Sequence, residues 1–225
     1  MPLINYVDAL LSNDTVPLMC DAANRNMEFV TGLLLAASEG VNTIYFNLPI
    51  AGNEDPFSKN RERVYCYELY HQWRSHWPDG FPYTLCGETD KRGHPLIRGK
   101  YLDDTIPDFL VHVPGRMDNL LVMEVKRAAA EPAKIIHDLA KLTAFRRSLV
   151  DRDGNPANYQ HAFLWLYGAS RDAWPRLEGD IITELVRAAP QKAVTEDDVD
   201  LSLLRVFIHE HPGVRAVEQI WSVNQ

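Results

Sequence analysis

The chain has 225 residues, of which 46% are hydrophobic, enough for one large domain, or one domain with an elaboration, around a sizeable core. Its 31 acidic and 23 basic residues leave a formal net charge of -8, which argues against a protein that coats nucleic acid by bulk positive charge. A nucleic-acid substrate would need a local basic patch or a divalent cation, and three cysteines with no CxxC pair (Cys20, Cys66, Cys86) point to a reducing cytoplasm rather than a disulfide framework or thiolate zinc site.

The opening "MPLINYVDALLSNDTVPL" lacks the basic start and apolar core of a signal peptide, and no apolar run approaches the ~20 residues that span a bilayer, so no membrane partner is expected. Helical spacing then predicts short helices near 5–12 and 25–39, a strand at "NTIYFNL", and a long helix over 58–77. Strands follow at "YTLCGE", "DFLVHV" and "LLVMEVK". A helix over 132–150, a strand at "HAFLWLYG", a helix over 172–188 and a strand at "SLLRVFIHE" complete an α/β or α+β plan, a mixed sheet flanked by helices. In the 132–150 helix Pro132 occupies the first turn, and Ile135, Leu139, Leu142, Phe145 and Leu149 form a packing stripe. The opposite face is expected to show Lys134, Lys141, Arg146 and Arg147 to solvent.

Chemistry concentrates in "IPDFLVHVPGRMDNLLVMEVKR", residues 106–127, where two aliphatic runs flank a turn-like "PGRMDN". With the turn centred on Arg116, Asp108 and Glu124 lie at equal distances from it and become cross-strand partners. Like charges placed opposite each other are destabilising, and burying them alone costs several kcal/mol, so the pair calls for a cation. Glu124 and Lys126 share a face by strand alternation, while Val125 points away and leaves its carbonyl available. Oxygen ligands of this kind suit Mg²⁺ or Mn²⁺, and such an ion beside a lysine suits hydrolysis of a phosphodiester.

"PD" (Pro107, Asp108) followed after a turn by "EVK" (Glu124, Val125, Lys126) resembles the PD-(D/E)xK nuclease superfamily, also called restriction-endonuclease-like. The order helix, strand, "PD" strand, "ExK" strand, helix, strand from about Ser58 to Gly168 is similar to that family's core. The resemblance implies residues 58–225 as the nuclease-like core, with 1–57 as an N-terminal extension packed on it. It implies metal binding by Asp108 and Glu124 with the Val125 carbonyl assisting, catalysis by Lys126, and a further glutamate on the preceding helix. The helix "NRERVYCYELYHQWR" offers two: Glu62 falls in line with the apolar stripe Cys66, Leu69, Tyr70 and Trp73, whereas Glu68 sits in "YELY", which is more like the family motif. Both remain candidates, Glu68 also as a metal ligand.

Lys91, Arg92, His112 and Lys141 are candidate nucleic-acid contacts, with Arg98 and Lys100 in the same basic loop; Glu88 stands nearby. No GxSxG elbow, Walker A loop, GxGxxG after a strand or HExxH is present. The expected function is therefore a cytoplasmic Mg²⁺-dependent endonuclease, acting on DNA in preference to RNA, in defence against foreign DNA or in repair. It would work as a homodimer or with a partner protein. The alternative from another class is an inactive or partner-activated subunit of the same fold that binds nucleic acid or serves assembly, which the acidic charge favours.

Overall fold

A computed structural model describes residues 18–47, 62–89, 97–103, 105–147, 158–188 and 194–222. Helix α1 (Leu18–Gly40) and the single helical turn α2 (Thr43–Phe46) precede α3 (Glu62–Ser75). Strands β1 (Thr84–Gly87), β2 (Phe109–His112) and β3 (Asn119–Arg127) run as an antiparallel meander. Helix α4 (Pro132–Arg146) crosses over to β4 (His161–Tyr167), and α5 (Trp174–Ala188) to β5 (Leu204–His209), making β3, β4 and β5 parallel neighbours. A short antiparallel β6 (Val217–Gln219) closes a six-stranded sheet in the order β1-β2-β3-β4-β5-β6.

The sheet is covered on both faces. On one, Met27, Val30 and Leu34 of α1 and Tyr65, Leu69 and Trp73 of α3 pack on Val111, Met123, Val125 and Trp165. On the other, Ile135, Leu139, Leu142 and Phe145 of α4 meet Ile181 and Leu185 of α5 over Val122, Leu164 and Val206. The central strands therefore have no solvent face, which is why "LLVMEV" and "AFLWLY" read as nearly unbroken apolar runs. Tyr65 fixes α3 on the sheet: its hydroxyl accepts from Trp165 Nε1 and pairs with His209 Nδ1, both at 2.7 Å. Burial, more than any neighbour, holds the His209 imidazole down at about 4, so the buried ring stays neutral.

"NTIYFNL" is not a strand. The Asn42 side chain accepts the Ile44 N–H and caps the α2 turn, leaving Ile44 and Tyr45 51% and 42% exposed. Phe46 turns inward, edge-on to Tyr65, Tyr167 and His209. A local cap has overridden β propensity there. β6 carries too little pattern in its three residues to be read from sequence, and Glu218 anchors it through a two-pronged pair to Arg205 at 2.6 Å. The strand expected over 202–210 begins only at Leu204, because Asp200 caps a 3₁₀ turn at Leu201–Leu203. The helix expected near 5–12 lies outside the described residues. Cys66 is a buried thiol and Cys86 a half-buried one, and among the described residues no helix is long and apolar enough to cross a membrane.

Candidate functional site

Asp108 immediately precedes β2. The register that pairs Phe109 with Met123, continued by one step, sets it opposite Glu124 on β3, the relation its spacing from the turn predicts. Its Oδ2 accepts the Val125 N–H at 2.7 Å, locking the aspartate to the neighbouring strand. Glu124 and Lys126 alternate with core residues to face α4, and Glu124, on a central strand, is only 2% exposed.

Two helices complete the cluster from opposite sides of the sheet. α3 begins at Glu62, whose Oε1 takes Lys126 Nζ at 2.7 Å. α4 contributes Asp138 and, one turn later, Lys141. Lys126 lies 3.2 Å from Asp138 Oδ2, while Lys141 Nζ stands 2.8 Å from both Asp138 Oδ1 and Glu124 Oε1. Charges thus alternate along Glu62, Lys126, Asp138, Lys141 and Glu124, with Asp108 beside them. When all are ionised, these four carboxylates and two ammoniums leave two uncompensated negative charges.

Burial pushes the Asp108 carboxyl up to about 6, only partly opposed by the Val125 N–H and Lys126. Glu124 is held well above the usual carboxylate range, first by burial, then by Asp138 and Asp108, against the pull of Lys141. Burial alone would lower both lysines, but surrounding carboxylates reverse it: Asp138 and Glu62 raise Lys126, and Glu124 and Asp138 take Lys141 to about 12. Lys126 is therefore a fixed cation at neutral pH, suited to donate hydrogen bonds and stabilise charge rather than to act as a base. Burial, then Asp108 and Glu62, raise the Cys66 thiol, so it stays protonated at the site's edge.

Glu124 Oε1 and Asp138 Oδ2 are buried, and each has one ammonium nearby: Lys141 at 2.8 Å from the first and Lys126 at 3.2 Å from the second. Such atoms have exchanged water for a single ammonium contact each. The oxygens on offer to a hard ion are those of Asp108 and Glu124 with the Val125 carbonyl. No set of three or more His, Cys, Asp or Glu side chains converges as a metal-holding group among the described residues. Two carboxylates with water in the remaining positions is the usual protein share of a Mg²⁺ shell.

The sequence-derived candidates separate cleanly. Asp108, Glu124, Val125, Lys126 and Glu62 come together, whereas Glu68 accepts from Gln72 Nε2 at 2.8 Å, on α3 but away from the cluster. Lys141 is not a surface cation: its side chain is 15% exposed and paired. Arg146 likewise turns inward to the carbonyls of Tyr159 and Gln160, because α4 is walled by residues 158–160 and 200–203 as well as by the sheet. His112 sits near Cys86 at the far end of β2, about 13 Å along the strand from Asp108. Glu88 pairs with Arg63 at 2.8 Å on the site's rim. Lys91 and Arg92 lie outside the described residues. Asp138 is the member that sequence reading missed; its signal was its place on the stripe Ile135, Asp138, Leu142 and Phe145, where a carboxylate cannot reach water.

Two clefts among the described residues border α4, and the cluster's charged side chains line neither. One, of about 420 Å³, opens at the ends of β3 and β4 between α4 and α5, lined by Ala128, Ala130, Gly168, Arg176 and Leu177. The other, of about 230 Å³, is bounded by Arg98, Lys100, Tyr101 and Arg147 alongside α4. Replacing Glu62 with Gln removes one of the two carboxylates holding Lys126, whereas Glu68→Gln touches only a bond within α3. Chemical unfolding at pH 7 is expected to show a loss of about 1 kcal/mol for the first and less than about 0.5 kcal/mol for the second.

Compared with family models, curated proteins and solved structures, the chain matches none.

Proposed function

We propose that this protein is a divalent-metal-dependent nuclease of the PD-(D/E)xK kind, hydrolysing phosphodiester bonds, with DNA the favoured substrate. One observation carries the assignment: Asp108 and Glu124 meet on adjacent strands, with Lys126 two residues on and fixed as a cation. The succession α3, β1, β2, β3, α4, β4 supports the restriction-endonuclease-like core that the sequence resembles. The two uncompensated charges, together with a Glu124 carboxylate only 2% exposed, fit Mg²⁺ or Mn²⁺ held by Asp108, Glu124 and the Val125 carbonyl.

When bound there, such an ion polarises the phosphodiester and lowers the pKa of attacking water. The chain's own residues supply the remainder. Lys126, held between Glu62 and Asp138, orients a water or meets the negative charge that builds on the phosphoryl oxygens. Arg98, Lys100 and Arg147 give an acidic protein the local positive surface that a polyanion requires, although Lys100 is already paired with Asp198 at 2.9 Å.

The test is cleavage of plasmid DNA, single-stranded DNA and RNA in Mg²⁺, Mn²⁺ and EDTA, with Lys126→Ala alongside. Metal-dependent cutting that falls at least about a hundredfold in the variant is the expected result. Cutting at the wild-type rate by Lys126→Ala would remove this site from the reaction. A second reading, a non-catalytic or partner-activated subunit of the same fold, is favoured by one feature: Lys141 already compensates Glu124. Calorimetric titration separates the two, because a subunit that never uses a metal gives no Mn²⁺ or Mg²⁺ heat at this site.

A further inference from the structure

We propose that Lys141 competes with the divalent cation for Glu124 and that Asp138 is the seat onto which it is released, so that this helical pair sets the metal affinity of the site. The inference rests on the metal-site assignment above and adds a residue pair to it. One ammonium stands 2.8 Å from Glu124 Oε1 and 2.8 Å from Asp138 Oδ1. Lys141 Nζ is the cation standing on Glu124 Oε1, so a metal ion arriving at that oxygen has to displace this contact.

Lys141 and Asp138 are one turn apart on α4, so their pairing needs no movement of backbone. When a cation takes Glu124, Lys141 keeps Asp138 and its charge stays compensated. Asp138 also holds Lys126, 3.2 Å from its other oxygen, so the release draws on the carboxylate that positions the proposed catalytic lysine. Metal loading and Lys126 placement are thereby linked through a single side chain.

The sign of the effect follows from charge. Removing Lys141 takes one positive charge from the pocket. This favours both a proton and a metal ion on Glu124, but the ion carries twice the proton's charge and gains more. Lys141→Met preserves the buried stem and is expected to bind Mn²⁺ about tenfold or more tightly than the wild type by calorimetry at pH 8. Its Mn²⁺-induced rise in Tm should grow correspondingly.

Asp138→Asn should shift affinity the other way, and a double-mutant cycle identifies the cause. If Asp138 acts as the seat for Lys141, the Asn substitution weakens Mn²⁺ binding strongly in the wild-type background and little in Lys141→Met. An equal loss in both backgrounds would show a simple charge effect and overturn the exchange. So would an unchanged Kd in a folded Lys141→Met. Should the methionine variant fail to fold in EDTA, Lys141→Arg replaces it: a longer, bidentate cation on Glu124 is expected to weaken Mn²⁺ binding, and unchanged binding overturns the proposal. Absence of Mn²⁺ heat in the wild type and every variant would instead dismiss the metal site itself.

Discussion

Asp108→Asn is expected to make the protein more stable in EDTA while abolishing the proposed cleavage. Asp108 titrates at about 6 in the fold against 3.8 for the unreacted side chain, because burial disfavours its charge. A carboxyl raised in this way binds more protons folded than unfolded between those two values, so its contribution to stability falls as pH rises through that window. Above pH 6 the ionised carboxylate costs up to about 3 kcal/mol, two pKa units at 1.36 kcal/mol each, and below pH 4 the cost disappears. The asparagine can still accept the Val125 N–H through its carbonyl oxygen. Urea unfolding in EDTA should therefore show the variant more stable by about 2–3 kcal/mol at pH 8 and equal to the wild type at pH 4. Cleavage should fall about a thousandfold, the several kcal/mol that a held metal supplies. A variant less stable than the wild type at pH 8 would mean that Asp108 is not under electrostatic strain. The same comparison cancels the opposing acid effect of His161 and His209, whose burial-depressed values near 4 remove stability as pH falls from 6.5.

Asp138→Ala should lower stability more than any other single change in the site. Asp138 is 3% exposed and lies within salt-bridge distance of both Lys126 and Lys141. Its removal leaves two largely buried ammoniums with one carboxylate each, and breaking a buried ionic network by deleting one partner costs about 3–5 kcal/mol. Denaturant midpoints at pH 7 read this directly. Asp138→Asn, which keeps the shape and one acceptor, should cost less than half as much. A loss under about 1 kcal/mol for the alanine would show that solvent or rearranged side chains replace it, and the cluster would lose its standing as a fixed device.

Several features of this protein were decided within the sequence itself. The central strands declare themselves through nearly unbroken apolar runs, because a strand covered on both faces has no position left for water. The Asp108–Glu124 pairing follows from equal spacing about a turn, a local geometric relation. Helical spacing put Glu62 in line with Cys66, Leu69 and Trp73 but left Glu68 open as the other candidate, and the pairing with Lys126 came only with the fold.

The tertiary structure decided the rest, and the reason is the same in each case: these outcomes depend on what stands across a gap that periodicity does not report. A cap at Asn42 overrode the strand character of "TIYF" once Phe46 had a pocket between Tyr65, Tyr167 and His209. The polar face assigned to α4 became an interior one because residues 158–160 and 200–203 close over it, drawing Arg146 onto carbonyls. Lys141 and Asp138 read along the chain as an ordinary helical ion pair of the kind found on any exposed surface. Only the packing of α4 against β3 brings them to Glu124 and Lys126, where low solvent access turns a weak local pairing into the electrostatic frame of the site.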